Sequence, residues 1–123
     1  MFFCFFAGAT SGNLLFTAGH LPQPADGGEL VTGKVGKELT VEQANKAAQY
    51  CALNLLATLK AELGDLDRIQ RIVKVVGFVN CTDEFTQQPQ VINGASDLLG
   101  EVFGEKGKHA RSAVGTNALP LNV

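Results

Sequence analysis

The most regular hydrophobic pattern of the chain lies between residues 41 and 63. Apolar residues recur there at steps of three and four, which places them on one face of a helix. Thr40 stands before this stretch as a hydroxyl N-cap, and Gln43, three residues later, completes a capping box. Gly64 follows the stretch, and glycine readily adopts the backbone conformation that ends helices. The pattern predicts an amphipathic helix roughly 35 Å long, enough to lie across a sheet.

A second helix is predicted over residues 89–103. Pro89 suits its first turn, because proline lacks the N–H group that a helix start leaves unpaired, and Gly104 suits its end. The apolar stripe is shorter here than in the first helix, and the pair Asn93-Gly94 interrupts it near its start. The spacing still predicts one continuous helix.

Strand patterns occupy five other segments. Residues 71–79 are rich in β-branched side chains, and both alternating faces are mostly apolar, so both faces must be covered. An apolar run at residues 1–9 is interpreted as a strand that begins abruptly, and residues 13–19 as a largely buried strand. After a stretch rich in proline and glycine, residues 29–33 can return as a short strand, so that a hairpin opens the fold. Residues 109–115 form the last candidate strand.

With the opening hairpin counted as the first two strands, the order is strand, strand, helix, strand, helix, strand, which is a ββαβαβ arrangement. It predicts an α+β fold in which two helices pack on one face of a mostly antiparallel sheet. Two helices cover one face only, whereas the strand at residues 71–79 is apolar on both sides. We therefore expect another copy of the chain to cover the second face, as in a homo-oligomer.

Composition and charge narrow the classes of partner. A chain of 123 residues, of which 46% are hydrophobic, is sized for one domain with one core, spanning residues 1–123. Ten Lys+Arg against twelve Asp+Glu give a net charge of -2, which cannot build the positive field that nucleic-acid binding needs. The apolar run at the N-terminus is far shorter than the ~20 residues of a membrane span. We expect neither nucleic acid nor membrane as a partner.

The cysteines, histidines and glycines offer no recognisable cofactor or metal motif. The three cysteines are an odd number without a CxxC pair, and neither histidine lies in a metal-binding spacing. We expect no disulfide framework and no metal site, and reduced thiols favour a cytoplasmic location. Residues 28–35 match most of the phosphate-binding pattern GxxxxGK[ST], but Val35 stands at the hydroxyl position. We interpret that match as accidental.

One charged residue, Arg111, stands among small and apolar neighbours in the last candidate strand. Its planar guanidinium is suited to holding a carboxylate at two points. The alternative is a structural arginine that pairs with an acidic residue across a subunit boundary, and the pattern alone favours this alternative. Asn93 has a comparable alternative as a local cap or turn residue.

Six short segments, spread over nearly the whole chain, carry a resemblance to a known family; they are residues 12–19, 63–66, 77–80, 93–97, 108–115 and 119–120. They resemble the Rid family of reactive-intermediate deaminases, also called the YjgF group and formerly labelled L-PSP endoribonucleases. The arginine segment, Lys-His-Ala-Arg-Ser-Ala-Val-Gly at residues 108–115, is the most specific of them. The resemblance is strongest to a less characterised branch of this family.

The resemblance implies a chorismate-mutase-like fold of the bacillus type and a homotrimer with a site at each subunit interface. It implies the hydrolysis of small enamines and imines, such as 2-aminoacrylate and its tautomer 2-iminopropanoate, to the keto acid and ammonia. The substrate would be a small carboxylate, and no metal or organic cofactor would take part. A protonated imine carbon is already electrophilic, so holding the substrate beside a water molecule can suffice.

The same resemblance implies the site residues. Arg111 would bind the substrate carboxylate as the catalytic arginine, and Asn93 would lie near it. Further substrate-binding residues are expected around the cleft: Ala18 and Gly19, a small residue followed by a glycine; Ala113, where well-studied deaminases have a cysteine; and Phe5, where many members carry a tyrosine.

The chain departs from the family pattern after Leu119-Pro120. Family members usually continue into a final strand with a glutamate that handles the attacking water, whereas this chain ends at Val123, so we expect the domain to lack that strand. The departure favours an alternative function, a non-enzymatic trimer that holds a small carboxylate on Arg111 without turnover. A ribonuclease, which the older family label suggests, is disfavoured by the net charge of -2.

Overall fold

A computed structural model describes residues 7–123 of the protein. The α+β class expected from the pattern is confirmed, with two long helices and two pairs of strands. Short 3-10 turns follow both helices and the last strand. The elements are, in chain order, β1 (Gly8–Ser11), β2 (Leu14–Thr17), α1 (Val41–Leu63), β3 (Lys74–Asn80), α2 (Gln88–Phe103) and β4 (Ala110–Thr116).

Helix α1 forms as its sequence predicts. The Thr40 hydroxyl accepts a hydrogen bond from the Gln43 backbone N–H, and the Gln43 side chain accepts one from the Thr40 N–H, which completes the capping box. Gly64 ends the helix with a φ of 81°. The buried face consists of small residues followed by leucines: Ala44, Ala48, Ala52, Leu56 and Leu59.

Helix α2 also runs over the predicted segment, but its ends are weaker. Gln87 occupies the N-cap position without a side-chain hydrogen bond to the helix, and Pro89 lies in the first turn. Two glycines bring α2 close to its neighbours. A Cβ atom at Gly94 would overlap the backbone carbonyl of Asn45 in α1, and one at Gly77 of β3 would overlap the side chain of Ile92. The helix is therefore positioned by close packing against α1 and β3.

The strand pairing differs from the expected single, mostly antiparallel sheet. In the described residues β1 pairs antiparallel with β2, and β3 pairs parallel with β4, as two separate two-stranded sheets. A parallel pair needs a crossover connection, and α2 supplies it. The predicted strand at residues 29–33 is irregular backbone, and β2 pairs instead with the segment just before it, across a turn at Gly12. Only the end of the first predicted strand, from Gly8, lies in the described residues.

The long segment between β2 and α1 is held against the end of β3. Val35 forms a backbone bridge to Cys81, and the Lys34 ammonium donates to Asn80 Oδ1 at 2.7 Å and to the Asn117 carbonyl. Lys34 belongs to the stretch that partly matches a phosphate-binding loop, and its ammonium instead joins three parts of the fold.

The hydrophobic core lies between the helices and one face of the β3–β4 pair. Its buried members are Val35, Ala44, Val79, Cys81, Val91 and Ile92. The opposite face is open to solvent in the single chain: Val76 is 52% exposed, Phe78 59% and Val114 43%. Among residues 7–123, one apolar face of β3 is thus covered and the other is not.

Candidate functional site

Arg111 lies near the start of β4, opposite Val75 of β3. Alternate strand residues share a face, and Ala113, two positions on, packs against the hydrophobic core. The half-buried Arg111 side chain accordingly lies on the α2 side of the strand pair. Its Nη1 donates to Asn93 Oδ1 at 2.8 Å and to Ser96 Oγ at 3.1 Å. The structure thus joins two of the predicted site residues, Arg111 and Asn93, and adds Ser96.

Helix geometry explains why Asn93 and Ser96 act together. Residues three apart lie on the same helix face, so both side chains of α2 reach the same guanidinium nitrogen. Both acceptors are neutral oxygens. Within residues 7–123 the ion pairs are Lys37 with Glu38 and Lys108 with Glu105, and none involves Arg111. An acidic partner from the same fold is therefore not what holds this arginine in the described residues.

His109 adds a further hydrogen bond to the group of residues around Arg111, through Ser96. Ser96 Oγ lies 2.9 Å from His109 Nε2, and His109 Nδ1 lies 2.6 Å from the Gly107 carbonyl oxygen. In the sequence His109 lies in no metal-binding spacing, and Ser96 does not stand out. The available signal was spacing: residues 109, 111 and 113 share a strand face, and residues 93 and 96 share a helix face.

The other predicted site residues lie apart from this cluster. The backbone N–H of Ala18 donates to the Ala7 carbonyl at 2.9 Å, and Gly19 is exposed with open space around its Cα. The next residue, His20, contacts Thr58 of α1 through its Nε2, 2.8 Å from the hydroxyl. In residues 7–123 no hydrogen bond joins Ala18 or Gly19 to Arg111. Phe5 lies outside the described residues.

Comparisons with known proteins agree with the fold. Residues 5–123 match the family described as "YjgF/chorismate mutase-like, putative endoribonuclease". The chain belongs to this family. The resemblance read from the sequence is thereby confirmed, and the YjgF fold covers nearly the whole chain.

Relatives of this YjgF-family chain come from distant organisms. Protein TCP17 of Trypanosoma cruzi is 50% identical over 114 residues, which are 92% of this chain and 71% of that protein. A protein of unknown function from Agrobacterium tumefaciens is 48% identical, with a TM-score of 0.93 over 97% of this chain and 77% of that one. A putative endoribonuclease from Shewanella oneidensis is 35% identical, with a TM-score of 0.91 over 96% and 78% of the two chains.

The two described thiols of this YjgF-family chain are free and lie outside the arginine cluster. Burial raises the pKa of the Cys51 thiol on α1 to about 11, so the thiol stays protonated at neutral pH. Cys81 is buried, and Gln88 Nε2 lies 3.7 Å from its Sγ. Cys81 borders a pocket of about 230 Å³ at the carboxyl ends of β3 and β4, whose lining does not include Arg111. In the described residues no hydrogen bond joins either thiol to Arg111.

The helices of the YjgF-family chain carry no membrane signal. Among residues 7–123, neither α1 nor α2 is both long and apolar enough to cross a bilayer.

Proposed function

We propose that the protein hydrolyses small enamine and imine acids of the 2-aminoacrylate and 2-iminopropanoate type to the keto acid and ammonia. Membership of the YjgF family supports an enzyme of this general group. We place the reaction in the cytoplasm, in keeping with the free thiols of Cys51 and Cys81.

The proposal rests on the hydrogen bonding of Arg111, which leaves part of the guanidinium without a protein partner in the described residues. Its Nη1 is fixed by two neutral oxygens, and within residues 7–123 its Nη2 and Nε donate to no protein acceptor. A guanidinium held in this way keeps its positive charge and three further N–H donors, two on Nη2 and one on Nε, for a ligand. A small carboxylate satisfies both needs through charge-assisted hydrogen bonds.

Holding the carboxylate places the reacting carbon beside the same cluster, because in these substrates the imine carbon is bonded directly to the carboxylate carbon. The oxygen of a water molecule bonds to the protonated imine carbon, and the electron pair of the C=N double bond moves to nitrogen. One proton then passes from this oxygen to nitrogen, the C–N bond breaks and ammonia leaves. The remaining hydroxyl proton goes to ammonia as the C=O bond forms. Positioning contributes most of the rate enhancement in such a scheme.

We propose further that the working unit is a homotrimer. The exposed side chains of Val76, Phe78 and Val114 support a second copy on this face, because an apolar strand surface is usually covered. In the trimer the substrate would bind at each subunit interface. Ala18 and Gly19 of one copy would then lie near Arg111 of another.

The decisive experiment generates 2-aminoacrylate in the presence of the purified protein and follows pyruvate formation. The wild type should accelerate it, and Arg111→Ala should lose about 100-fold in kcat/KM, since the variant lacks charge-assisted hydrogen bonds to the carboxylate. Arg68→Ala is the matched control, because the Arg68 side chain hydrogen-bonds only to the Leu63 carbonyl at the end of α1 in the described residues. Light scattering should give three times the 13.0 kDa chain mass.

The same samples separate the alternatives. Pyruvate binding that depends on Arg111, without any acceleration, would support the non-enzymatic carboxylate binder. Cleavage of RNA by the wild type and not by the variant would support the older family label. Equal activity in the wild type and Arg111→Ala would refute the proposed role of the arginine, and a stable monomer would refute the trimer.

A further inference from the structure

Arg111 ends a chain of three hydrogen bonds that crosses from β4 to α2 and back to the segment before β4. Arg111 Nη1 donates to Ser96 Oγ at 3.1 Å, Ser96 Oγ lies 2.9 Å from His109 Nε2, and His109 Nδ1 lies 2.6 Å from the Gly107 carbonyl. The imidazole and the hydroxyl are both half-buried, so this chain is partly shielded from water.

For a neutral imidazole, the chemistry of each group fixes the direction of every bond. A backbone carbonyl only accepts, so His109 Nδ1 must carry the proton toward Gly107. In the neutral imidazole the other nitrogen, Nε2, is then an acceptor, and the Ser96 hydroxyl donates to it. Ser96 has one hydrogen, so its oxygen lone pairs remain for the N–H of Arg111. The three bonds are thus mutually consistent in one tautomer.

The Gly107 carbonyl, which ends this series of hydrogen bonds, lies in a closely packed turn. Gly107 is buried, and a Cβ atom there would overlap the backbone carbonyl of Leu99 in α2. The short turn Gly104–Gly107 is therefore packed directly on α2, and its carbonyl is a fixed acceptor for His109. Connected hydrogen bonds polarise one another and strengthen each member.

We propose that His109 is a positioning residue for Arg111: through Ser96 it holds the guanidinium in the orientation that binds a carboxylate. This inference rests on the proposed function, because it assigns the affinity for the substrate carboxylate in part to a histidine that does not touch the substrate. His109 and Ser96 should affect the binding of substrate and leave the chemical step nearly unchanged.

The molecule contains a natural control for this argument. His20 Nε2 also lies 2.8 Å from a helix hydroxyl, that of Thr58 on α1. In residues 7–123 this second pair does not continue to an arginine. Removing the Thr58 hydroxyl tests the loss of a half-buried histidine–hydroxyl contact without touching Arg111.

The first test measures pyruvate binding by calorimetry and deaminase kinetics for Ser96→Ala, His109→Phe, His109→Gln and the control Thr58→Val. We expect Ser96→Ala and His109→Phe to weaken pyruvate binding and raise KM about tenfold each, with kcat changed less than twofold. His109→Gln should restore part of the loss, because its amide oxygen can accept from Ser96. Thr58→Val should bind pyruvate as the wild type does.

The second test uses nitrogen-15 NMR of the two histidine rings. His109 should carry its proton on Nδ1, and Ser96→Ala should shift the His109 ring signals while those of His20 stay unchanged. A proton on Nε2 of His109, or wild-type pyruvate affinity in both Ser96→Ala and His109→Phe, would overturn the inference. If those variants bind normally while Arg111→Ala does not, only this inference fails. If Arg111→Ala also binds as the wild type does, the proposed function fails with it.

Discussion

The two helices of the protein differ in their end signals and in the side chains they carry. Helix α1 has a complete capping box at Thr40, a glycine end and a buried face of alanines and leucines. Helix α2 has no side-chain cap hydrogen bond at Gln87 and includes Asn93, Gly94 and Ser96. Asparagine, glycine and serine are poorer helix formers than alanine, yet Asn93 and Ser96 are the residues that hold Arg111.

The difference shows where each helix gains its stability. The signals that form α1 are local, whereas α2 depends on packing against α1 and β3 through Gly94 and Gly77. That packing allows α2 to carry polar side chains toward β4 at a cost in helix propensity. The candidate site therefore lies on the helix that tertiary contacts, rather than local sequence, keep in place.

Among the variants that test the difference between α1 and α2, Gly94→Ala should have the largest effect on stability. The added methyl group would overlap the Asn45 carbonyl, so the two helices must separate, and we expect a loss of about 3 kcal/mol in the free energy of unfolding. Urea denaturation measures it. The matched control is Gly100→Ala in the same helix, where a Cβ has open space and alanine should stabilise by about 0.5–1 kcal/mol. Equal effects at both positions would show that the close helix contact is unimportant.

A smaller effect on the free energy of unfolding should come from the Cys51 thiol of α1 at alkaline pH. The pKa of Cys51 is raised from 9.0 to about 11 in the fold, so folding favours the protonated thiol. Its stabilising contribution is complete below pH 9 and is lost as the pH rises through 11, by about 2–3 kcal/mol in total. Unfolding free energies of the wild type should therefore fall more steeply than those of Cys51→Ala between pH 8.5 and about 10.5. Parallel pH curves would contradict the burial of this thiol.

The smallest effect compares the two helix starts. Thr40→Ala removes a hydroxyl that accepts from the Gln43 backbone, and we expect a loss of about 1 kcal/mol in stability. Gln87→Ala is the counterpart on α2 and should change stability by less than about 0.3 kcal/mol, because Gln87 makes no side-chain cap bond. Thermal unfolding of both variants measures the two losses of stability. Equal losses would contradict a stronger N-terminal cap on α1 than on α2.

The sequence predicts elements better than it predicts their pairing. Both helices lie where the periodicity and the end residues place them, and the strands at residues 74–80 and 110–116 fall within a few residues of expectation. The hairpin partner of β2 is the segment before it rather than the one after it. Strand propensity does not distinguish these partners, because the choice depends on which segment the rest of the fold leaves free.

The candidate site also has a part that the sequence predicts and a part that only the fold reveals. Arg111 and Asn93 are expected from the sequence, and the structure joins them with a 2.8 Å hydrogen bond. The roles of Ser96 and His109 require the fold, since the two lie 13 residues apart and meet only where α2 packs on β4. Neither residue stands out by type, and their spacing becomes informative only once the helix face and the strand face are known.

By itself the sequence determined the helix ends and the α+β class and marked one arginine as a candidate site residue, because capping, periodicity and a charge among apolar neighbours are local properties. The tertiary structure alone decided that β3 and β4 run parallel, that glycines let α2 approach α1, and that a serine lies within hydrogen-bond distance of both the arginine and a histidine. These features depend on contacts between residues distant in the chain, where the available space and the unpaired hydrogen-bonding groups are set by the packing of the whole domain.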